Sequence, residues 1–462
     1  METTKGLRTA ANLILRAGAP TLGALLLVGA FLADVALHGS PGFGLGQWIL
    51  VAVGCCLLAV GFSSAEWRGR ITLLSVSMVA SIVLCEVVLR LVAGARLGSI
   101  YVYDRDLLFA LPAGTREYYS NLPENGGNEV LVSINSQGYR GPESSETTGS
   151  RRIIVFGDSY VLASATADER TFATQLQAKM GVAGLEDLHV INAGVSGYGL
   201  DQTYLRMQRE LGRQRAEMIV LVVYAGNDFG DPVRNKLFRL DSFGALALNS
   251  DIDTDSIREH LEVAGRTPYV IRAWDLAWQG LLAQWRKGMP RGSPYRATEA
   301  FLEAARSDYR NYVVRLDNRV GAEVLEDYYD ADVAMTPDSE SAKYKIRVMY
   351  DILSAIRALA TSRHLPLAML IVPHPIDAIV GYEWGQVDVK KYPSYVRAGP
   401  SKIVRDIADS LGIPNVDLME SFGGDSPARY YLRGGDPHWN DAGQRFAAEQ
   451  MADLIVAKRL ID

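Results

Sequence analysis

Beyond Cys85 the chain has no cysteine, and its three cysteines, Cys55, Cys56 and Cys85, all lie in a strongly apolar first hundred residues. That placement excludes a disulfide framework and a cysteine-based zinc cluster. An excess of positive charge is also lacking: 47 Lys and Arg stand against 53 Asp and Glu, a formal net charge of −6. No broad basic field is available to hold nucleic acid, so that partner class is set aside. Histidine is scarce, with six residues, which confines imidazole chemistry to a few positions. The composition of a disordered chain is absent too, since 48% of the residues are hydrophobic and 22% charged over a length of 462. Such a chain has material for more than one folded unit.

The apolar residues concentrate at the N-terminus in three stretches, Ala17 to Leu37, Leu45 to Phe62 and Ile71 to Val92. Each is close to the ~20 residues a helix needs to cross the hydrocarbon core, so three transmembrane helices are expected in a membrane anchor covering residues 1–97. A cleaved signal peptide is the alternative for the first stretch, although two further apolar runs follow it. Lys5, Arg8 and Arg16 precede the first run and Arg68 and Arg70 lie between the second and third, whereas His38 to Gly46 holds no Lys or Arg. The positive-inside rule then places the N-terminus in the cytoplasm and everything after Val92 across the membrane. The expected location is the inner or plasma membrane, multi-pass, with a periplasmic or extracellular catalytic domain. Glu86 and Arg90, four residues apart near the end of the third run, can pair on one helical face. They are read as an anchoring pair, with ion or substrate passage as the alternative.

From residue 98 the chain reads as soluble. Residues 98–150 form a β-rich lead-in, with alternation at Val130 to Ile134 and a small polar linker at Ser144 to Ser150. Residues 151–462 then alternate short apolar runs with helical patterns. The runs are Ile153 to Phe156, Leu188 to Ile191, Met218 to Tyr224, Leu367 to Val372 and Ile413 to Val416. Between and after them come Thr171 to Met180, Gln202 to Leu211, Ser341 to Arg363, Ser401 to Leu411 and Ala442 to Arg459. This order predicts an α/β domain with a parallel five-stranded sheet covered on both faces. Ligands in such sheets bind beyond the carboxyl ends of the strands.

The polar motifs fall at those ends. Gly157-Asp158-Ser159-Tyr160 follows the first run, Asn192-Ala193-Gly194-Val195-Ser196-Gly197 the second, and Gly226-Asn227-Asp228 the third. Each alone is ordinary turn chemistry. At three consecutive strand ends they place a serine hydroxyl, a glycine N–H and an asparagine amide around one space, the composition of a nucleophile with an oxyanion hole. Gly435-Asp436-Pro437-His438-Trp439-Asn440 precedes the last helix, where Asp441 and Gln444 have capping-box spacing. His438 has a carboxylate beside it and is the natural base. His374, at the end of the fourth run, is the other histidine facing the site.

These ordered blocks resemble the SGNH/GDSL hydrolase superfamily, and Asn135-Ser136-Gln137-Gly138-Tyr139-Arg140-Gly141 is similar to a segment preceding the first block in membrane-linked bacterial members. The resemblance implies a flavodoxin-like three-layer fold. It makes Ser159 nucleophile and oxyanion donor, Gly194 and Asn227 oxyanion donors, His438 the base and Asp436 the third member of the triad. The acid stands two residues before the histidine, where the commonest pattern has three and this chain has Gly435; a Ser-His dyad is the alternative.

The expected function is a serine ester hydrolase, an acyl or acetyl esterase working through an acyl-serine on acylated envelope glycans. An O-acyltransferase of exported polysaccharide would use the same triad, and a non-catalytic membrane scaffold is the rival of another class. Expected partners are an ester substrate, the lipid bilayer and membrane proteins; no cofactor and no metal are expected. The segment 229–340 is far longer than ordinary connections of ~2 to 6 residues and should form a substructure of its own that sets specificity. Within it Trp274, Trp278 and Trp285 read as the packed face of a lid helix, with a glycan site or the bilayer surface as alternatives.

Overall fold

Alternation along each central strand decides the layers. The computed structural model describes residues 18–32, 45–97, 101–143, 151–286, 293–326 and 328–461, and they group into two compact units, Met1–Leu97 with Glu262–Gly288, and Gly98–Leu261 with Met289–Asp462. The linker at 144–150 lies outside the described residues.

In the larger unit, β1 (Arg151–Phe156), β2 (Leu188–Asn192), β3 (Met218–Tyr224), β4 (Leu367–Val372) and β5 (Asn415–Asp417) form one parallel sheet in the order β5-β4-β3-β1-β2. Register is set by pairs such as Ile154 with Ile191 and with Ile219. One set of side chains, Ile154, Phe156, Ile219, Leu221, Met369 and Ile371, packs on Met207, Met349, Leu353 and Val404 of helices 200–211, 340–362 and 399–410. The alternate set, Ile153, Val155, Val220, Val222 and Leu370, packs on Leu176, Met180, Ala448 and Met451 of helices 172–182 and 441–458. Period-two strands thus give both faces apolar cover, the three-layer arrangement expected. The strand order reverses between β1 and β3, so a crevice opens where their carboxyl ends diverge.

The lead-in contributes two antiparallel ribbons, Val102–Asp104 with Leu108–Ala110 and Arg116–Ser120 with Glu129–Ser133. Arg140 then bridges to Asn192 at the end of β2, which joins this segment to the sheet edge beside the crevice.

The smaller unit corrects the expectation of three membrane spans. Among the described residues one helix, Glu66–Ala93, is long and apolar enough to cross a membrane, at 28 residues, or about 42 Å at 1.5 Å per residue against a core of about 30 Å. The other two runs give shorter apolar helices at Gly18–Leu32 and Leu50–Ala59. The second stops because Val60–Phe62 tightens into a 3-10 turn and Ser63 turns extended, with its hydroxyl donating to the carbonyl of Val60. Residues 33–37 of the first run lie outside the described residues.

The same unit assigns Glu86 and Arg90 a structural task. Their side chains pair at 2.7 Å, and Glu86 also accepts the N–H groups of Tyr269 and Val270 at 3.1 and 3.0 Å. A carboxylate thereby caps the orphan donors that open helix Tyr269–Arg286. Trp274 and Trp278 on that helix are 71% and 50% exposed, which corrects their reading as packed core; the side chain of Trp285 lies outside the described residues.

Candidate active site

Gly157 follows β1 at a point of close approach, where a Cβ would stand 2.7 Å from Val161 Cγ2 and 3.0 Å from the carbonyl of Val222. The tight turn lets Asp158 cap the four-residue helix Ser159–Leu162 by accepting the N–H of Tyr160 at 2.9 Å. Ser159 therefore starts a helical turn at the switch point of the sheet. Its Oγ lies 2.7 Å from His438 Nε2, and His438 Nδ1 lies 2.6 Å from Asp436 Oδ1. Asp436 also accepts the backbone N–H of His438 at 3.0 Å and the Tyr119 hydroxyl at 3.1 Å. Two-residue spacing suffices because the Gly434-Gly435 turn, at φ 81° and 93°, folds the carboxylate back onto the imidazole.

Burial raises the Asp436 carboxyl, but its bonds to His438 and Tyr119 outweigh burial and hold it below the usual carboxylate range. The anion keeps the proton of His438 on Nδ1 and leaves Nε2 to accept from the serine. Burial, and then the charge of Asp436, push the Tyr119 phenol upward, so it remains a donor.

Asn227 is buried at the end of β3, in a turn closed by Asp228, whose carboxylate accepts the N–H of Tyr224 at 2.7 Å. Asn227 and His438 line the same recess. Gly194, the expected oxyanion donor, has its N–H engaged. Its N–H donates to Asn192 Oδ1 at 3.1 Å, and a Cβ there would meet the N of Leu162 at 2.5 Å. It lets helix Ser159–Leu162 sit directly on the loop, while Ser196, two residues on, lines a pocket with Ser159 and His438.

His374 does not join the relay. Its ring stacks on Tyr224 at 5.7 Å and its Nδ1 accepts the N–H of Ile376 at 3.0 Å. Burial, with the nearby charge of His438, lowers it to about 3. The expected capping box at 441–444 is also corrected: Asn440 caps the last helix by accepting from Ala442 and Gly443, and Gln444 instead accepts the N–H of Phe172 at 2.7 Å.

Several supports escape sequence reasoning. Arg140 is buried and its guanidinium donates to the carbonyls of Leu162, Ala163 and Thr166, while its Nε pairs with Asp168 at 2.9 Å. It clamps the loop after Ser159, where Ala163 stands at φ 55°, a left-handed conformation costing a non-glycine residue roughly 1–2 kcal/mol. Asp330 does the matching work at the asparagine turn: its N–H donates to the Gly226 carbonyl at 2.6 Å and its carboxylate accepts from Gly230 at 2.7 Å. Lys345, fully buried, pairs with Asp330 and Asp332 at 2.9 Å each. Tyr160 ties the Ser159 and His438 segments together by donating to the carbonyl of Pro437 at 2.6 Å. The heptapeptide containing Arg140 was visible as a motif, but nothing in one sequence names its partners.

No protein-family model and no curated protein matches the chain. Among solved structures it is similar to the acetyl xylan esterase AlAXEase, at 15% identity over 65% of this chain and 97% of that one, with a TM-score of 0.32. An esterase EstA from Pseudoalteromonas sp. matches at 12% identity over 67% and 98%, TM-score 0.31. AlinE4, an SGNH-hydrolase family esterase, matches at 12% identity over 68% and 95%, TM-score 0.28. Likeness at this level assigns neither substrate nor catalytic residues.

Proposed function

We propose that the chain is a serine-dependent ester hydrolase of the SGNH/GDSL kind. The observation that carries this reading is the relay from Ser159 Oγ to His438 Nε2 to Asp436, at 2.7 and 2.6 Å. His438 takes the proton of Ser159 as Oγ bonds to the ester carbonyl carbon. The oxyanion is received by the N–H of Ser159, the amide of Asn227 and the loop 194–197; in that loop Gly194 would have to exchange its bond to Asn192 to take part. Collapse of the adduct breaks the bond to the alcohol, which leaves with the proton from His438, and an acyl-serine remains. Water activated by His438 then releases the acid. A sugar hydroxyl arriving instead of water would make the same site an O-acyltransferase.

Helix Glu66–Ala93 is proposed as the anchor. Arg68 and Arg70 at its start favour a cytoplasmic N-terminal end, and a single span then delivers the catalytic unit to the opposite face. An extracytoplasmic site makes acylated envelope glycan the proposed substrate.

The test is hydrolysis of p-nitrophenyl acetate by the full chain in detergent, wild type beside Ser159→Ala, with intact-mass detection of the acyl adduct. Turnover that falls by at least ~10³-fold in the variant, and an adduct confined to Ser159, are expected. A folded wild type with neither turnover nor adduct overturns the reading in favour of a scaffold.

A further inference from the structure

The insertion at residues 229–340 does not stay with the sheet. Its central part, Glu262–Gly288, groups with Met1–Leu97, whereas the chain on either side of it groups with the larger unit. The chain thus enters the smaller unit twice, once at its N-terminus and once in the middle of the α/β domain. The returning segment contains helix Tyr269–Arg286, whose exposed tryptophans the reaction centre leaves unused.

That helix starts on the membrane-length helix Glu66–Ala93. Glu86 accepts its first N–H groups, from Tyr269 and Val270, and the Arg90 guanidinium lies 4.9 Å from the ring centre of Tyr269. Counted from Arg70, Glu86 stands about 24 Å along a helix rising 1.5 Å per residue. In a hydrocarbon core about 30 Å thick it then lies about 6 Å short of the far boundary. A carboxylate at that depth is costly unless it is paired. Arg90 and the opening turn of the second helix supply the pairing, so Glu86 fixes the level at which Tyr269–Arg286 begins.

The rest of the helix is built for the same level. Ile271, Trp274, Trp278 and Leu281 recur at spacings of three and four, which puts them on one face, and they are between 50% and 71% exposed. Trp285 continues the spacing in the sequence. Exposed Leu276 extends the apolar surface round the helix. Among the described side chains of this helix the charged ones are Arg272 and Asp275, which share one narrow arc, and Arg272 Nε turns back to donate to the Thr267 carbonyl at 3.1 Å. A helix with a broad apolar surface, paired indoles and a narrow charged arc lies in the plane of a bilayer, its apolar face about 5–10 Å below the headgroups. The level fixed by Glu86 falls within that range. A protein partner would impose no such depth.

Resting on the reading of Glu66–Ala93 as the anchor, we infer that helix Tyr269–Arg286 is a second membrane attachment, an interfacial helix that seats Ile271, Trp274, Trp278 and Leu281 among the lipids of the extracytoplasmic leaflet. Glu86 fastens its start to the span. The α/β domain then has two attachments to the bilayer, one preceding it in the sequence and one issuing from its own insertion.

The experiment uses the full chain in phosphatidylcholine nanodiscs, with Cys55, Cys56 and Cys85 replaced by Ser and one spin label at a time. Labels go on Ile271→Cys, Trp274→Cys, Trp278→Cys and Leu281→Cys for the apolar face, Asp275→Cys for the charged arc, and Leu84→Cys for the span. Collision with oxygen, which concentrates in lipid, is measured against collision with a water-soluble nickel chelate. The oxygen-to-nickel ratio at the four apolar positions is expected to exceed that at Asp275→Cys at least ~5-fold, as an interfacial helix requires. Ratios equal to that of Asp275→Cys place the face in water and overturn the inference. Low collision with both reagents at the apolar positions also overturns it, since a second copy or another protein then covers the face. In either case an oxygen-rich Leu84→Cys leaves the anchor reading intact, whereas a nickel-accessible Leu84→Cys removes the anchor and the inference together.

Discussion

Two loops reach the reaction centre from adjacent strands, and they are held by opposite means. After β1, the turn through Ala163 relies on a single buried cation: Arg140 gathers three carbonyls and one carboxylate. After β3, the turn through Asn227 is fixed at both ends by Asp330, itself part of a buried cluster in which Lys345 serves two aspartates and Arg234 pairs with Asp231. The first brace neutralises backbone dipoles around a strained residue, whereas the second balances formal charges. A lone guanidinium can be weakened by degrees. A balanced cluster fails when one member goes, because desolvated charges are then left unpaired.

The largest effect should therefore come from Lys345→Met, which strands Asp330 and Asp332 in the core and should cost about 3–5 kcal/mol. The triple change Lys345→Met, Asp330→Asn, Asp332→Asn should recover most of that stability in thermal unfolding; failure to recover would show that packing rather than charge balance holds the β3 turn. Arg140→Lys should do less. A single ammonium cannot serve Leu162, Ala163 and Thr166 in the guanidinium's fork geometry, and losing part of that set should cost about 1–3 kcal/mol, with faster protease cleavage around residues 163–168. Equal losses in the two variants would break the contrast.

A third effect concerns pH, and it separates His374 from both braces. Its folded value of about 3 lies below the ordinary 6.5, so between these values the unfolded chain binds more protons. The stability it leaves intact above pH 6.5 is lost as pH falls toward 3. Asp377 opposes this, since burial raises it from 3.8 to about 7; its contribution is present below pH 3.8 and lost as pH rises through 7. The two nearly cancel in the wild type. Replacing His374 by Phe exposes the imbalance: the stability of the variant relative to wild type should rise by about 2 kcal/mol between pH 7 and pH 5, read from chemical denaturation at both values. A constant difference would place the imidazole in contact with solvent.

What the sequence made legible follows the same division. The five strands and the Ser159, Asn227 and His438 turns could be read because buried parallel strands show as short apolar runs and their polar ends punctuate them. Asp436 was visible, but its reach was not, since that depends on the φ of Gly434 and Gly435. The engagement of the Gly194 N–H by Asn192 could not be read, because several glycines in one turn look alike until packing shows which one lies under Leu162. Length in residues misjudged the apolar N-terminal runs, because Val60–Phe62 and Ser63 end a helix inside one of them. The Arg140 and Asp330 braces stayed hidden because most of their partners are backbone groups, to which any residue contributes alike, and their charged partners Asp168 and Lys345 carry no signal of the pairing.

The bond from Tyr160 to Pro437 and the relay beside it join positions 277 and 279 residues apart. Ser159 is thus translated long before His438, and the segment ahead of the last helix must dock before the pair can form. An emerging chain carries Ser159 without its imidazole partner until the C-terminal segment is in place, so the assembled trio reports that the fold is complete.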